Sequence, residues 1–179
     1  MIDPQLQALL DAVNSAKRSP SEPASLQERR DGYLALSVIA GPGPELDHVE
    51  NRSIDGPAGA IPIRVYRNHG AVGIFVFFHG GGHTIGDLDS HDEPCRRIAA
   101  DANCTVVSVD YRLAPEAPFP AAVDDAWASV RWADANRAQL GGAPDAKIIV
   151  GGDSAGGNLS AVVALMARDA ELDLAAQCL

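Results

Sequence analysis

Cysteine is scarce in this chain. There are three, Cys95, Cys104 and Cys178, an odd number with no CxxC pair among them. That excludes a zinc ribbon or a disulfide framework as the organising device and points to free thiols in a reducing cytosol. Long apolar runs are also missing: none approaches the roughly 18 residues of a membrane-spanning helix. Met1-Ile2-Asp3-Pro4 lacks the basic-then-apolar order of a secretory leader, so a cytoplasmic location is expected. Basic charge is in deficit, with 14 Lys and Arg against 24 Asp and Glu and a formal net charge of −10. A surface of that sign repels phosphate backbones and anionic headgroups, which argues against nucleic acid and membrane partners. Histidine is missing after residue 91; the five present stand at 48, 69, 79, 83 and 91.

What remains is ordinary for a globular protein: 179 residues, 46% hydrophobic and 21% charged, enough for one domain with a core. Asp3-Pro4 suits a helix start, and Leu6, Leu9, Leu10 and Val13 follow at helical spacing. A Ser/Pro-rich linker over 19–25 leads to a second helical pattern with Leu26, Tyr33, Leu34 and Leu36, stopped by Gly41-Pro42-Gly43-Pro44. Residues 1–44 are read as a helical cap or lid and 45–179 as the N-terminal part of a larger main domain. Residues 49–54 and 61–67, split by a turn at Asp55-Gly56-Pro57, predict a hairpin. The short apolar runs 73–78, 105–109 and 147–150 suit strands buried on both faces of a mostly parallel sheet. Helices are expected between and after them: 90–102, opened by a capping box at Ser90-His91-Asp92-Glu93, then 121–138 and 158–169. Alternation of this kind predicts an α/β fold.

Two segments carry chemistry. Gly152-Asp153-Ser154-Ala155-Gly156 stands between a predicted strand and a predicted helix, the setting of a nucleophile elbow. The turn is sharp enough to expose the Ser154 oxygen, and Gly152 and Gly156 remove side chains that would strike neighbouring strand and helix. The helix N-terminus adds a positive dipole near developing charge. A phosphate-binding loop fits poorly, because no Lys-Ser/Thr ends it and Asp153 takes the place of the middle glycine of G-x-G-x-x-G. The second segment, His79-Gly80-Gly81-Gly82, follows a strand directly and suits a backbone loop whose amides face an oxyanion, completed by the amide of Ala155. Removing one such donor costs about 2.7–4 kcal/mol of transition-state stabilisation in a comparable enzyme. A metal site built from His79, His83, Asp87, Asp89 and His91 is the competing reading. Three glycines between His79 and His83 make the helix such a pair needs improbable, so no metal and no cofactor are expected.

With these segments, and with Asp110-Tyr111-Arg112-Leu113-Ala114-Pro115-Glu116 and Phe119-Pro120-Ala121-Ala122-Val123-Asp124-Asp125, the chain resembles the hormone-sensitive-lipase-like bacterial esterases. The resemblance implies an α/β-hydrolase fold with an N-terminal helical cap over an eight-stranded sheet, and short- to medium-chain acyl esters as small-molecule substrates. It makes Ser154 the nucleophile and Gly80, Gly81 and Ala155 the oxyanion donors, with His79, Gly82, Gly152, Asp153 and Gly156 as support. His83 departs from the bulky aromatic or apolar residue usual in relatives, and is expected to line the substrate pocket.

A serine needs a histidine base and an orienting acid, which in this fold follow the nucleophile in the order Ser, Asp/Glu, His. No histidine follows Ser154. Residues 175–179 read as the start of a further core strand, so part of the sheet, the acid and the base are expected in a companion segment beyond Leu179, along with any homodimer surface. Two alternatives stay open: an inactive fragment or small-ligand-binding module of the same fold, and an amidase.

Overall fold

The structure is a computed structural model and describes residues 2–15 and 24–179. Residues 19–23 of the expected linker lie outside that range. Two helices come first, α1 (Pro4–Ser15) and α2 (Leu26–Ala40). A reciprocal capping box opens α2: Ser25 N–H donates to Glu28 Oε2 at 2.9 Å, and Glu28 N–H to Ser25 Oγ at 3.2 Å, satisfying two amides that the first turn leaves unpaired. The Gly41–Pro44 stretch then carries the chain to the sheet.

The sheet has six strands in the order β1-β2-β4-β3-β5-β6. The predicted hairpin is β1 (His48–Gly56) with β2 (Gly59–Arg67), antiparallel. β2 pairs antiparallel with β4 (Thr105–Val109). From there the sheet is parallel through β3 (Ile74–Phe78), β5 (Ile148–Gly152) and β6 (Ala176–Cys178). α3 (Asp92–Asp101) packs on β2 and β4 on one face. The opposite face carries α4 (Ala121–Ala135), which packs on β1 and β3, and α6 (Ala155–Asp169), which packs on β3, β5 and β6.

Burial on both faces explains the near-continuous apolar runs. In β3, Ile74, Val76 and Phe78 face the cluster under α4 and α6, while Phe77 joins Tyr66, Cys95, Ala99, Cys104 and Val106 under α3. Side chains alternate across a strand, so a strand covered on both sides needs apolar residues at every position.

Local start and stop signals differ in three places from the sequence reading. Ser90 does not cap α3, whose N-cap is His91 with no side-chain bond. Ser90 instead pairs back with Asp87, each amide donating to the other's side-chain oxygen at 2.7 and 2.9 Å, which closes the loop before the helix. The helix expected over 121–138 breaks at Asn136, where α5 (Arg137–Gly141) begins. α6 begins at Ala155 rather than at 158, because the tight turn before it takes only Asp153 and Ser154.

The chain leaves β3 through α3 to β4 on one side, then returns through α4 and α5 to β5 on the other side of β3. Sequence direction therefore reverses about β3. In open α/β sheets that reversal opens a crevice at the carboxyl ends of the strands. Phe78 is in register with Gly152, so the chain continuing from β3 and the chain continuing from β5 emerge side by side. That adjacency positions the site.

Candidate active site

Asp153 and Ser154 join β5 to α6, and Ser154 has φ 51° and ψ −112°. A non-glycine residue there carries strain, which persists only where the surroundings enforce it. Here the enforcement is backbone packing: a Cβ on either Gly152 or Gly156 would overlap the carbonyl oxygen of Phe78. The turn is closed by Gly156 N–H donating to Asp153 O at 2.8 Å and Asn158 N–H to Ser154 O at 3.1 Å. Ser154 is exposed, and α6 directs its positive end at the space beside the hydroxyl.

The loop after β3 crosses this turn. Gly81 and Gly82 have φ of 122° and 62°, and a Cβ on Gly81 would strike the Ile85 carbonyl. Gly81 O accepts from Thr84 N–H and Ile85 N–H, both at 3.1 Å, so the peptide is turned with its oxygen inward. Among the described residues the amides of Gly81, Gly82 and Ala155 donate to no protein acceptor. Gly80 differs, since its amide donates to Asp153 Oδ1 at 2.8 Å. Of the donors named from sequence, Gly81 and Ala155 are open and Gly80 is engaged; Gly82, assigned there to support, is open.

His79 lies beneath the loop, fully buried and stacked on Tyr111 with ring centroids 4.3 Å apart. Its Nδ1 is 2.8 Å from Gly80 O; a carbonyl only accepts, so Nδ1 carries the hydrogen. Burial pushes its pKa down to about 4, keeping the ring neutral at neutral pH. The Tyr111 hydroxyl donates to His79 O at 2.6 Å. Burial alone would raise the Asp153 carboxyl, but His91 and the Gly80 amide outweigh it and hold the group below its ordinary value.

His83 has φ 60°. Its ring meets Tyr111 edge-on at 6.3 Å, and its Nδ1 is buried without a partner among the described residues. It lines an apolar cavity of about 520 Å³ between the first turns of α4 and α6, with Phe119, Val123, Leu159 and Val162. Asn158, one helical turn beyond Ser154, also lines it. No three His, Cys, Asp or Glu side chains converge to hold a metal among the described residues. No helix there is long and apolar enough to cross a membrane.

Residues 75–179 match the family described as alpha/beta hydrolase fold. The chain belongs to that family. Among curated relatives it is 55% identical to the carboxylic ester hydrolase LipN of Mycobacterium tuberculosis, over 76% of this chain and 37% of LipN. To the carboxylesterase NlhH of the same organism it is 51% identical, over 94% of this chain and 52% of NlhH. The chain thus spans about half the length of such relatives, or less. Among solved structures, an esterase from Pyrobaculum calidifontis superposes with a TM-score of 0.87 at 38% identity, covering 99% of this chain and 57% of that one. The hormone-sensitive-lipase-like resemblance and the α/β-hydrolase fold both stand.

In this hydrolase fold, the sheet brings Ser154, Ala155, Gly81 and Gly82 together, with His79 beneath and His83 to one side. Three contacts lay outside the sequence reading: the Tyr111 hydroxyl on His79 O, His91 against Asp153, and Arg30 of α2 against Thr84 and Glu116. Arg30 Nε donates to Thr84 O at 2.9 Å, and its two terminal nitrogens form a fork with Glu116 at 2.8 Å each. The only local signal was the acidic residue beside the nucleophile, which needs a partner across the turn. Nothing local pairs Arg30 with a glutamate 86 residues away.

Proposed function

We propose that this chain carries the nucleophile and oxyanion half of a serine carboxylic ester hydrolase acting on short- to medium-chain acyl esters. The supporting observation is the exposed, strained Ser154 beside three amides with no protein acceptor. Ser154 Oγ attacks the ester carbonyl, and the amides of Gly81, Gly82 and Ala155 receive the oxygen as it becomes negative. Fixed dipoles suit this task because they need no reorganisation when charge develops. The tetrahedral intermediate collapses by breaking the ester C–O bond and releasing the alcohol, and water then hydrolyses the acyl-enzyme to free the acid and Ser154. Gly80 serves through Asp153 rather than as a donor, because its hydrogen is committed.

The histidine that takes the Ser154 proton, and the acid that orients it, are assigned to a segment beyond Leu179. That agrees with the order Ser, acid, His in this fold and with the greater length of the relatives. The apolar cavity beside His83 takes the apolar arm of the ester. α1 and α2 form a cap, and α2 lies against the oxyanion loop through Arg30. Unpaired thiols at Cys95, Cys104 and Cys178 favour a cytoplasmic place of work.

The test is intact-mass measurement of the native protein after treatment with a fluorophosphonate, alongside hydrolysis of p-nitrophenyl esters from acetate to decanoate. A single adduct abolished by Ser154→Ala, with rates peaking at or below the octanoate, is expected. Hydrolysis that survives Ser154→Ala would overturn the assignment. A matched anilide hydrolysed faster than the ester would move it to amidase.

A further inference from the structure

Asp153 occupies the joint of the site. It precedes the nucleophile, and its Oδ1 accepts the Gly80 amide from the neighbouring loop at 2.8 Å. Those two strand ends, each carrying part of the oxyanion site, are tied to one another through this carboxylate. Yet the Asp153 side chain is half exposed, and an exposed aspartate beside an open crevice is free to rotate toward water. Something has to hold it.

His91 faces the same oxygen, with Nε2 3.3 Å from Asp153 Oδ1. A carboxylate only accepts, so Nε2 carries the hydrogen of this contact. The ring is fixed on every side. It is 7% exposed, and its centroid lies 5.4 Å from that of His79 and 5.9 Å from those of Phe77 and Tyr33. Its Nδ1 is 3.0 Å from Ser90 Oγ, and Ser90 is anchored by its reciprocal bonds to Asp87. A buried donor thus meets a half-exposed carboxylate.

We infer that His91 is a positioning residue for the hydrolysis: by holding Asp153 it fixes the Gly80 amide, and with it the orientation of Gly81 and Gly82 toward the Ser154 hydroxyl. The catalytic effect rests on the proposed ester hydrolase reading; the effect on the loop does not. Misplacing reacting groups by about 1 Å costs up to about a hundredfold in rate. His91 therefore acts on kcat, because the oxyanion forms after the ester has bound, and leaves KM nearly unchanged.

The test compares the native protein with His91→Phe, which keeps ring and volume but loses the donor, and His91→Gln, whose amide nitrogen reaches about as far as Nε2. With p-nitrophenyl butyrate, His91→Phe is expected to lower kcat about 10- to 100-fold with KM within about threefold. His91→Gln restores much of that loss. In an Asp153→Ala background, His91→Phe adds little, because the partner is already gone. Hydrogen exchange read at the Gly80 amide rises in His91→Phe and returns toward the native rate in His91→Gln. Equal kcat for the native protein and His91→Phe, or a full independent loss in the Asp153→Ala background, overturns the inference. If the protein with the segment beyond Leu179 hydrolyses no ester, the functional reading has failed, and the Gly80 exchange rates alone decide whether His91 positions the loop.

Discussion

At single residues the site depends on backbone space and on the protonation of buried groups. Gly156→Ala places a methyl group against the Phe78 carbonyl, and overlap of that kind in packed surroundings costs about 1–3 kcal/mol or more. We expect a lower denaturation midpoint together with loss of fluorophosphonate labelling. Asp110 bears on stability differently. Burial first, then the charges of Asp87 and Asp89, push its carboxyl up to about 6, with Arg64 opposing. The folded chain therefore keeps a proton that the unfolded chain releases near pH 4. The resulting stabilisation is complete below the unfolded pKa and is lost as pH rises through about 6. Above that pH the folded protein holds a poorly solvated charge, so Asp110→Asn is expected to gain about 1–3 kcal/mol at pH 8 and nothing at pH 4. Urea titrations at the two pH values measure it. His79 works with the opposite sign: lowered to about 4, it removes stability as pH falls from about 6.5 toward 4. The Asp110 effect is therefore read as a difference between variant and native protein.

At the scale of elements, the adjacency of β3 and β5 assembles the site, and α2 reaches it through the Arg30 guanidinium and the Tyr33 ring. Arg30 reaches the oxyanion loop at Thr84 and the loop after β4 at Glu116. Exposed ion pairs add little to global stability because water screens them. Arg30→Ala is therefore expected to leave the thermal midpoint almost unchanged while speeding proteolysis within α2. A midpoint that falls by many degrees would show that α2 belongs to the core. The fork also depends on pH: the Glu116 carboxyl is held down at about 2, first by its hydrogen bond to Arg30. Its contribution is present above the unfolded glutamate value and lost as pH falls toward about 2.

Over the whole molecule, two of the three thiols lie in the cluster under α3 and the third on the last strand. Cys95 is fully buried, its thiol pushed up to about 12 by burial; Cys104 is also buried and shifted upward. Thiolate is the reactive form, so both resist alkylation while the protein stays folded. Cys178 is exposed on β6. Brief iodoacetamide treatment of the chain of residues 1–179, followed by peptide mapping, is expected to modify Cys178 alone. Modification of Cys95 at the same rate would mean that the α3 face opens readily. Protection of Cys178 would mean that another copy of the chain covers β6.

Several features were legible from local sequence because their cause is local. Strands covered on both faces need unbroken apolar runs, so β3, β4 and β5 could be read directly. A turn that excludes side chains needs glycine, so Gly152, Ser154 and Gly156 stood out, as did the glycines after His79. Helix boundaries were less legible. Ser90 has the composition of a cap, but its hydroxyl and amide are taken by Asp87, and competition between two local bonding patterns leaves no trace in residue type. The choice of amides depended on tertiary structure alone: Gly80, Gly81 and Gly82 are identical in sequence, and only the approach of Asp153 across the β3–β5 join removes Gly80. The same holds for His91 and Arg30, whose partners lie 62 and 86 residues away. The sequence by itself determined the strands, the elbow and the glycine loop, through side-chain size and periodicity. Which donors stay open, and what holds them, was decided only when the sheet order brought distant polar groups within hydrogen-bonding distance.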